Sequence, residues 1–362
     1  MLSKIWVAFI LIALIISSYM AFIVGETQIF QKVMTAGFDS AKTGFEVALG
    51  LTGAMTLWLG LLKMGENGGV IDFMARKLSP ILTPIFPEIP ANHPALGSII
   101  MNFSANMLGL DNAATPLGLK AMKELQSINP DKETASNAQI MFLVLNASSL
   151  VIIPVSIIVY RLQLGAQNPT DVFIPILIAT TASTLAGLIS VAIYQRINLF
   201  KPAFILFMIV FFGILSAVVF YLINLSQSAM QDASSLSANF IILLIIGLFL
   251  ILALKKRVDV YASFIDGAKE GFQVAVNVIP YLIAMLFAIA LFRASGAMDL
   301  CLSGITYLVE VAGFNTDFIP ALPTAMMKPL SGSGARGLMI DAMTQYGADS
   351  FVGRLVCIMQ GA

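Results

Sequence analysis

The chain has 362 residues, of which 58% are hydrophobic and 11% charged, and its mean hydropathy is +0.90. A soluble domain is about 45–50% apolar and about 25% charged, so this composition excludes an ordinary soluble fold and indicates an integral membrane protein. Twenty basic residues balance twenty acidic ones, and there are only two cysteines and one histidine. A basic nucleic-acid-binding surface, a disulfide framework and a multi-histidine metal centre are therefore excluded as well.

Seven apolar segments are predicted to cross the bilayer as helices, which takes about 20 residues each. In chain order they are Ile5–Val24, Phe45–Met64, Ile140–Tyr160, Val172–Tyr194, Phe204–Leu225, Phe240–Leu254 and Phe272–Phe292. An eighth begins at Phe351 and runs to the end of the chain. The first segment can also be interpreted as a secretory signal, but its long apolar stretch favours a retained helix.

Basic residues set the orientation of these helices, because Lys and Arg collect on the cytoplasmic side. Lys4 starts inside, which places the Glu26–Lys42 segment outside and Lys255–Arg257 inside. The Ser226–Ser237 loop has no Lys or Arg and falls outside. The sequence therefore predicts a multi-pass protein of the bacterial cytoplasmic (inner) membrane, with the lipid bilayer around it.

An internal repeat becomes visible when the sequence is shifted by 227 positions, which aligns Asp39–Asp72 with Asp266–Asp299. Four predicted spans separate the two copies, so the copies are expected to have opposite orientations in the membrane. Two inverted halves are typical of many secondary transporters. The matching positions are Asp39/Asp266, Ala41/Ala268, Lys42/Lys269, Gly44/Gly271, Phe45/Phe272, Val47/Val274, Ala48/Ala275, Gly69/Gly296 and Asp72/Asp299, followed by a weaker match of Ser136/Ser350 and Asn146–Ala147/Gln360–Gly361.

After each repeated helix comes a moderately apolar segment interrupted by glycine, proline and small polar residues, Pro94–Met122 and Pro320–Met343. Neither can be a continuous lipid-facing helix, because the freed backbone groups would lack partners in hydrocarbon. We expect a broken or re-entrant helical hairpin in each, with Pro116 in the first turn of a half-helix. Asp72 and Asp299 are expected to be helix N-caps.

Four motifs carry a resemblance to a known family. The stretches Gly109–Pro116 and Asn137–Phe142 resemble spore maturation protein A, whereas Lys328–Gly337 and Asp349–Arg354 resemble spore maturation protein B. Both belong to the Gate, or nucleoside-recognition, domain family, and the chain resembles a fusion of the two. The resemblance implies a spore maturation protein A-like half over residues 1–200, with a first Gate repeat at about 39–160, and a B-like half over 201–362, with a second at about 266–362.

What the resemblance implies is an all-α, polytopic membrane protein with two inverted Gate-type repeats. Gate domains also occur in concentrative nucleoside transporters and in the membrane part of the ferrous iron transporter B family, but nucleosides are not thereby established as substrates. In spore formers the A and B proteins are linked to dehydration of the spore core. Members of the second type continue past Met359–Gly361, so the second repeat is expected to be C-terminally truncated here.

Polar residues inside a membrane segment are costly and are therefore candidates for function. The asparagines can bind a neutral polar solute, and Asp111 can hold a cation or a proton. Alternatively the asparagines cap half-helices and Asp111 faces water. The first hairpin supplies Asn102, Asn106, Asp111, Asn112 and Thr115.

The second hairpin has a glycine-rich turn that opens onto a helix N-terminus, an arrangement that favours anions. Its candidates are Lys328, Ser331, Ser333 and Arg336. Ligand contact and a structural lock, in which Arg336 or Lys328 pairs with Asp111, explain the two basic residues equally well. For residues further along each copy, Asn146, Ser148, Ser149 and Gln360, helix-to-helix hydrogen bonds are as good an explanation as ligand contact.

These features favour a transporter that moves a small polar solute, anionic or zwitterionic, by alternating access between the inverted repeats. The alternatives are a passive channel and a non-transporting membrane subunit that supports envelope or spore-maturation machinery. We expect no enzyme, no cofactor and no nucleic-acid partner, because no reactive constellation or nucleotide motif is visible. A coupling ion, H⁺ or Na⁺, and a homo-oligomer are both compatible with the sequence.

Overall fold

The computed structural model describes residues 2–90, 93–108, 111–148, 150–152, 154–199, 202–224 and 227–362. Within these ranges the regular structure is entirely helical, which confirms the predicted all-α class. The helices, numbered in chain order, are α1 Leu2–Tyr19, α2 Ile29–Asn67, α3 Val70–Leu82, α4 Pro94–Met107, α5 Asp111–Ile128, α6 Asn137–Ala147, α7 Val155–Gln163, α8 Phe173–Tyr194, α9 Pro202–Ile223, α10 Gln227–Lys255, α11 Val260–Ala294, α12 Ala297–Val311, α13 Leu322–Met327, α14 Gly332–Tyr346 and α15 Phe351–Gly361.

By length and composition, four described helical segments could cross a membrane, namely Leu2–Val24, Ile29–Asn67, Phe173–Tyr194 and Val260–Ala294. Large apolar side chains stay exposed on these and other helices, including Phe22 at 79% and Leu243 at 68%, as expected where lipid replaces water. The predicted spans at Phe204–Leu225 and Phe240–Leu254 coincide with α9 and with the second half of α10, although Leu225 lies outside the described residues.

The predicted continuous span Ile140–Tyr160 is wrong, because the chain leaves the helical conformation between α6 and α7. Pro154 lies in this gap, and a proline has no N–H to donate and collides with the carbonyl four residues earlier. The segment is thus two short helices with irregular backbone between them.

The helices divide into two compact units. Unit 1 comprises Met1–Leu57, Ser156–Pro169 and Lys269–Gln360, and unit 2 comprises Trp58–Val155, Thr170–Ala268 and Gly361–Ala362. In unit 1 the core is formed by Met285, Ile289 and Phe292 of α11, packed on Met327 and Leu338. In unit 2 a larger core gathers side chains of α3, α4, α5, α6 and α8, with Ile99, Phe103, Leu125, Met141 and Leu188 among its buried members.

Glycines let α2 and α11 approach each other closely within unit 1. A Cβ at Gly44 would lie 3.4 Å from the Cα of Ile283, and a Cβ at Gly271 would lie 2.4 Å from the carbonyl oxygen of Met55. A Cβ at Gly37 would lie 2.8 Å from the ring of Phe287. Because partner numbers fall along α11 as they rise along α2, the two helices are antiparallel in this unit.

Unit 2 contains the remaining ends of the same two helices, and glycines again mark their contact. A Cβ at Gly60 would lie 2.6 Å from the ring of Phe264, and a Cβ at Gly267 would lie 2.3 Å from the carbonyl oxygen of Leu59. The direction is again antiparallel.

The repeated helices end in the same local structure. Gly69, before α3, has φ +85°, and Gly296, before α12, has φ +83°, a left-handed conformation that glycine adopts without steric cost. These glycines are the N-caps, so the prediction that Asp72 and Asp299 are N-caps is wrong. Each aspartate lies in the first helical turn, where its negative charge interacts favourably with the helix dipole.

The close approach of α2 and α11 is open to a direct test with Gly271→Ala. The added methyl group would meet the backbone of α2, at 2.4 Å from Met55 O and 2.8 Å from Thr56 Cα, so we expect the free energy of unfolding to fall by about 1–3 kcal/mol. The matched control is Gly53→Ala, since nothing lies within 4 Å of a Cβ at this helical glycine. There the gain in helix propensity should raise stability by up to about 1 kcal/mol. Unfolding of the purified protein in detergent measures both, and equal responses would contradict the contact.

Candidate functional site

The first hairpin, in unit 2, consists of α4 and α5 packed against each other. His93 is the N-cap of α4, where its Nδ1 accepts the N–H of Ala95 at 3.3 Å, and Pro94 follows as the first helical residue. Proline is favoured there because that N–H would have no helical partner anyway. Pro116 lies inside α5 rather than in the predicted first turn, because α5 already begins at Asp111.

Three asparagine side chains connect the end of α4 with α5 and α6. Asn106 Nδ2 donates to Asn146 Oδ1 at 2.8 Å and, less favourably, to Asn102 Oδ1 at 3.3 Å. Asn102, which is 2% exposed, donates to the carbonyl of Ala114 at 2.8 Å, and Asn146 donates to the carbonyl of Phe142 at 2.9 Å. The structure thus brings together three of the residues that the sequence singles out.

The interruption between α6 and α7 begins directly after Asn146, at the end of α6. Ser148 is the C-cap of α6; its hydroxyl donates to Val144 O at 2.8 Å. The N–H of Ile152 donates to the carbonyl of Met107, the last residue of α4, at 2.8 Å. Irregular backbone between apolar helices is tolerated only where other protein groups satisfy it, and α4 does so here. We call Asn102, Asn106, Asn146, Ser148 and Ile152 the asparagine junction.

The sequence analysis missed the threonines of α8 that complete this arrangement. Thr184 donates its hydroxyl to the carbonyl of Ser148, and the hydroxyl oxygen of Thr180 lies 3.5 Å from the N–H of Val151. A spacing of four residues puts both hydroxyls on one helix face. Threonines one turn apart in a 22-residue helix without charged residues are the signal that could have identified them.

Much of the hydrogen-bonding capacity of the asparagine junction is used within the protein. Each Nδ2 group of the three asparagines donates to a protein oxygen, and both Asn102 Oδ1 and Asn146 Oδ1 accept from Asn106. The hydrogen bonds among the described residues leave out Asn106 Oδ1, so this oxygen can accept a donor from a solute. The other predicted residues of this half are less defined. Thr115 lies on an exposed face of α5, while the side chains of Asp111 and Asn112, and all of Ser149, lie outside the described part.

The second hairpin, in unit 1, consists of α13 and α14, joined by the segment Lys328–Ser331. Ser331 is the N-cap of α14; its hydroxyl oxygen accepts the N–H of Gly334 at 3.1 Å and lies 3.2 Å from the hydroxyl of Ser333. Lys328 donates its ammonium to the carbonyl of Gln360 in α15, and Gln360 Nε2 donates to the carbonyl of Gly332 at 3.4 Å. We call residues 328–334 the glycine turn.

Arg336 lies apart from the hydrogen bonds of the glycine turn. Its guanidinium carbon is 5.8 Å from the centre of the Tyr160 ring, within range of a cation–π contact. Tyr160, in α7, is a further residue that the sequence analysis did not single out.

Two ion pairs of unit 1 were also missed. The side chain of Arg161 is 0% exposed and lies 3.0 Å from the carboxylate of Asp349. The side chain of Arg293 lies 2.6 Å from the carboxylate of Asp341, and both of these side chains are 17% exposed. Buried charges in an apolar chain are rare and are usually paired, so the positions of Arg161 and Arg293 at the ends of apolar runs were the available signal. No group of three or more His, Cys, Asp or Glu side chains that could hold a metal occurs within the described ranges.

Apolar helices of membrane-crossing length and exposed apolar side chains define the class: a helical membrane protein. Residues 48–167, which include all of the asparagine junction, match the Gate family, described as nucleoside recognition. No solved structure matches the chain.

Two curated proteins of Bacillus subtilis (strain 168) are similar to separate lengths of this chain. Spore maturation protein A is 39% identical over 159 residues, which are 44% of this chain and 81% of that protein. Spore maturation protein B is 39% identical over 133 residues, which are 37% of this chain and 72% of that protein. The chain therefore belongs to the family of spore maturation proteins A and B, with a Gate domain.

Proposed function

We propose that this protein is a multi-pass transporter of the bacterial cytoplasmic membrane that moves a small polar solute by alternating access between two inverted repeats. The observation that carries the proposal is the reciprocal contact of α2 with α11. With the repeat shift of 227, Gly44 corresponds to Gly271 and Thr56 corresponds to Ile283. Within unit 1, Gly44 approaches Ile283 and Gly271 approaches Thr56, so exchanging the copies turns one contact into the other.

A second pair of contacts follows the same rule. Gly37 corresponds to Phe264 and Gly60 corresponds to Phe287. Gly37 meets Phe287 in unit 1, and Gly60 meets Phe264 in unit 2. Antiparallel helices whose contacts are exchanged by swapping the copies are what a two-fold axis in the membrane plane produces, and such an axis relates the inverted repeats of many secondary transporters.

The polar groups support the choice of solute. Discontinuous helices are the elements from which such transporters build their sites, and the interruption between α6 and α7 at the asparagine junction supports the proposal. Asparagine oxygens accept donors from a neutral polar group, and the N-terminus of α14 with Lys328 favours an anionic one. The solute is therefore small and anionic or zwitterionic, and its own gradient or that of H⁺ or Na⁺ drives its movement.

Cysteine accessibility tests the proposal. Exposed Cys301 is first replaced by serine, while Cys357 is buried and stays. Thr115→Cys and Ser333→Cys then report on the two hairpins. Glu133→Cys marks the loop after α5 and Gln345→Cys marks the last turn of α14, all four positions being exposed. A membrane-impermeant maleimide is applied to right-side-out and to inside-out vesicles.

Alternating access predicts that the two hairpin cysteines react in both vesicle types. Inversion predicts that Glu133→Cys reacts in one vesicle type and Gln345→Cys in the other. Labelling of Glu133→Cys and Gln345→Cys from the same side would refute inversion. Reaction of each hairpin cysteine from a single side would favour the non-transporting subunit over the transporter.

A further inference from the structure

The side chain of Gln360 has a buried oxygen without a hydrogen-bond donor. Gln360 is 7% exposed, and no donor among the described residues reaches its Oε1. The amide is oriented by its Nε2, which donates to the carbonyl of Gly332, since exchanging oxygen and nitrogen would set two oxygens against each other. Leaving a buried acceptor unsatisfied is costly, so this oxygen is suited to receive a donor from a ligand.

The N-terminus of α14, a helix of 15 residues, lies beside this amide, whose Nε2 is 3.4 Å from the carbonyl oxygen of Gly332. Its first N–H groups, those of Gly332 and Ser333, take no part in the hydrogen bonds among the described residues, whereas Gly334 and Ala335 donate to Ser331. Gly332 and Ser333 are exposed, so their N–H groups can reach a solute. The helix dipole and the Lys328 ammonium make this end positive.

We propose that the glycine turn and Gln360 form a subsite for a small carboxylic acid with a hydrogen-bond donor on the neighbouring carbon, an α-amino or α-hydroxy acid. The carboxylate binds the N–H groups of Gly332 and Ser333 near Lys328, and the donor binds Gln360 Oε1. Since Gln360 already contacts Gly332, both ends of the subsite lie within reach of one small molecule. This inference rests on the proposed function, because it names the class of solute.

Binding of three acids with the same carbon skeleton tests the subsite. Propionate has no donor on the carbon next to its carboxylate, lactate has a hydroxyl there, and alanine has an ammonium. Calorimetry on the full chain in detergent should give at least about fivefold tighter binding of lactate or alanine than of propionate, since only these two supply a donor to the unpaired buried acceptor. The order of lactate and alanine distinguishes the hydroxy acid from the amino acid.

Gln360→Met removes the acceptor and keeps the length of the side chain. We expect the preference over propionate to fall to within about twofold, and the melting temperature to hold or rise because a buried unsatisfied group is gone. Gln345→Met, at an exposed position of α14, is the matched control and should keep the preference.

Equal binding of the three acids by the unmodified protein overturns the proposal without any variant. So does a preference that survives Gln360→Met, or the absence of saturable binding of all three acids. Binding in detergent does not depend on accessibility from the two sides of a membrane. If the acids fail to bind as expected while the hairpin cysteines react in both vesicle types, only the subsite is overturned. One-sided labelling with the expected binding order would overturn transport and leave the subsite standing.

Discussion

Replacing Arg161 with methionine is expected to lower the free energy of unfolding by about 3 kcal/mol, the low end for breaking a buried ion pair, since the remaining Asp349 is 33% exposed. The guanidinium is 0% exposed and donates to the carbonyls of Ala348 at 2.6 Å, Pro169 at 3.2 Å and Asn168 at 3.2 Å. It also donates to the carboxylate of Asp349 at 3.0 Å. Without it, three carbonyls would lose this donor together, and the carboxylate of Asp349 would keep the N–H of Gln167. Unfolding of the purified protein in detergent, followed by circular dichroism, measures the loss.

A second variant separates the shape of the guanidinium from its charge, and a third is a control at an exposed ion pair. Arg161→Lys keeps the charge but cannot present a planar fork to several acceptors, so most of the loss should remain. The control is Lys42→Met, which breaks the pair of Lys42 and Glu46, whose side chains are 77% and 62% exposed. It should change the free energy of unfolding by less than about 1 kcal/mol. If Arg161→Met were as stable as Lys42→Met, Arg161 would not hold the segments 168–169 and 348–349 together.

The features that sequence could predict are those determined locally. Apolar runs of sufficient length predict helices whatever they pack against, and this holds for α1, α2, α8 and α11. A glycine repeated at positions 69 and 296 marks the same left-handed turn in both copies, because few other residues adopt it. The prediction of N-caps at the aspartates three residues later is wrong, because the glycine before each helix occupies the cap position itself.

The features that sequence could not predict depend on partners distant in the chain. Whether the apolar segment at Ile140–Tyr160 continues as one helix depends on Met107 and Thr184, which supply hydrogen bonds to its interruption. Arg161 and Asp349 are 188 positions apart, and no periodicity connects them. Asn106 and Asn146 are both candidates from sequence, but nothing in the sequence shows that their side chains meet. A ligand role for these residues stays a prediction, since their amides already bond to each other.

The second large effect is expected at the pair of Arg293 and Asp341, which joins α11 to α14 within unit 1. One carboxylate oxygen of Asp341 accepts from Arg293 Nε at 3.1 Å and from Nη2 at 2.6 Å, and both side chains are 17% exposed. Arg293→Leu or Asp341→Leu alone should cost about 3 kcal/mol, the low end for a buried pair, because the remaining charge stays in an apolar setting.

The double variant, with leucine at both positions, should cost less than either single variant, because no unpaired charge is left and leucine packs well among apolar neighbours. The coupling energy from a double-mutant cycle is the sum of the two single costs minus the cost of the double variant, so it should be at least about 3 kcal/mol, and added salt should change it little. The matched control is the pair of Lys256 and Asp72, 3.4 Å apart with side chains 52% and 51% exposed, where the coupling should stay below about 1 kcal/mol.

Equal coupling at the two pairs would mean that α14 is held to α11 by its apolar contacts alone. The position of the glycine turn would then depend on Met285 and Ile289, which pack against Gly337, rather than on the ion pair.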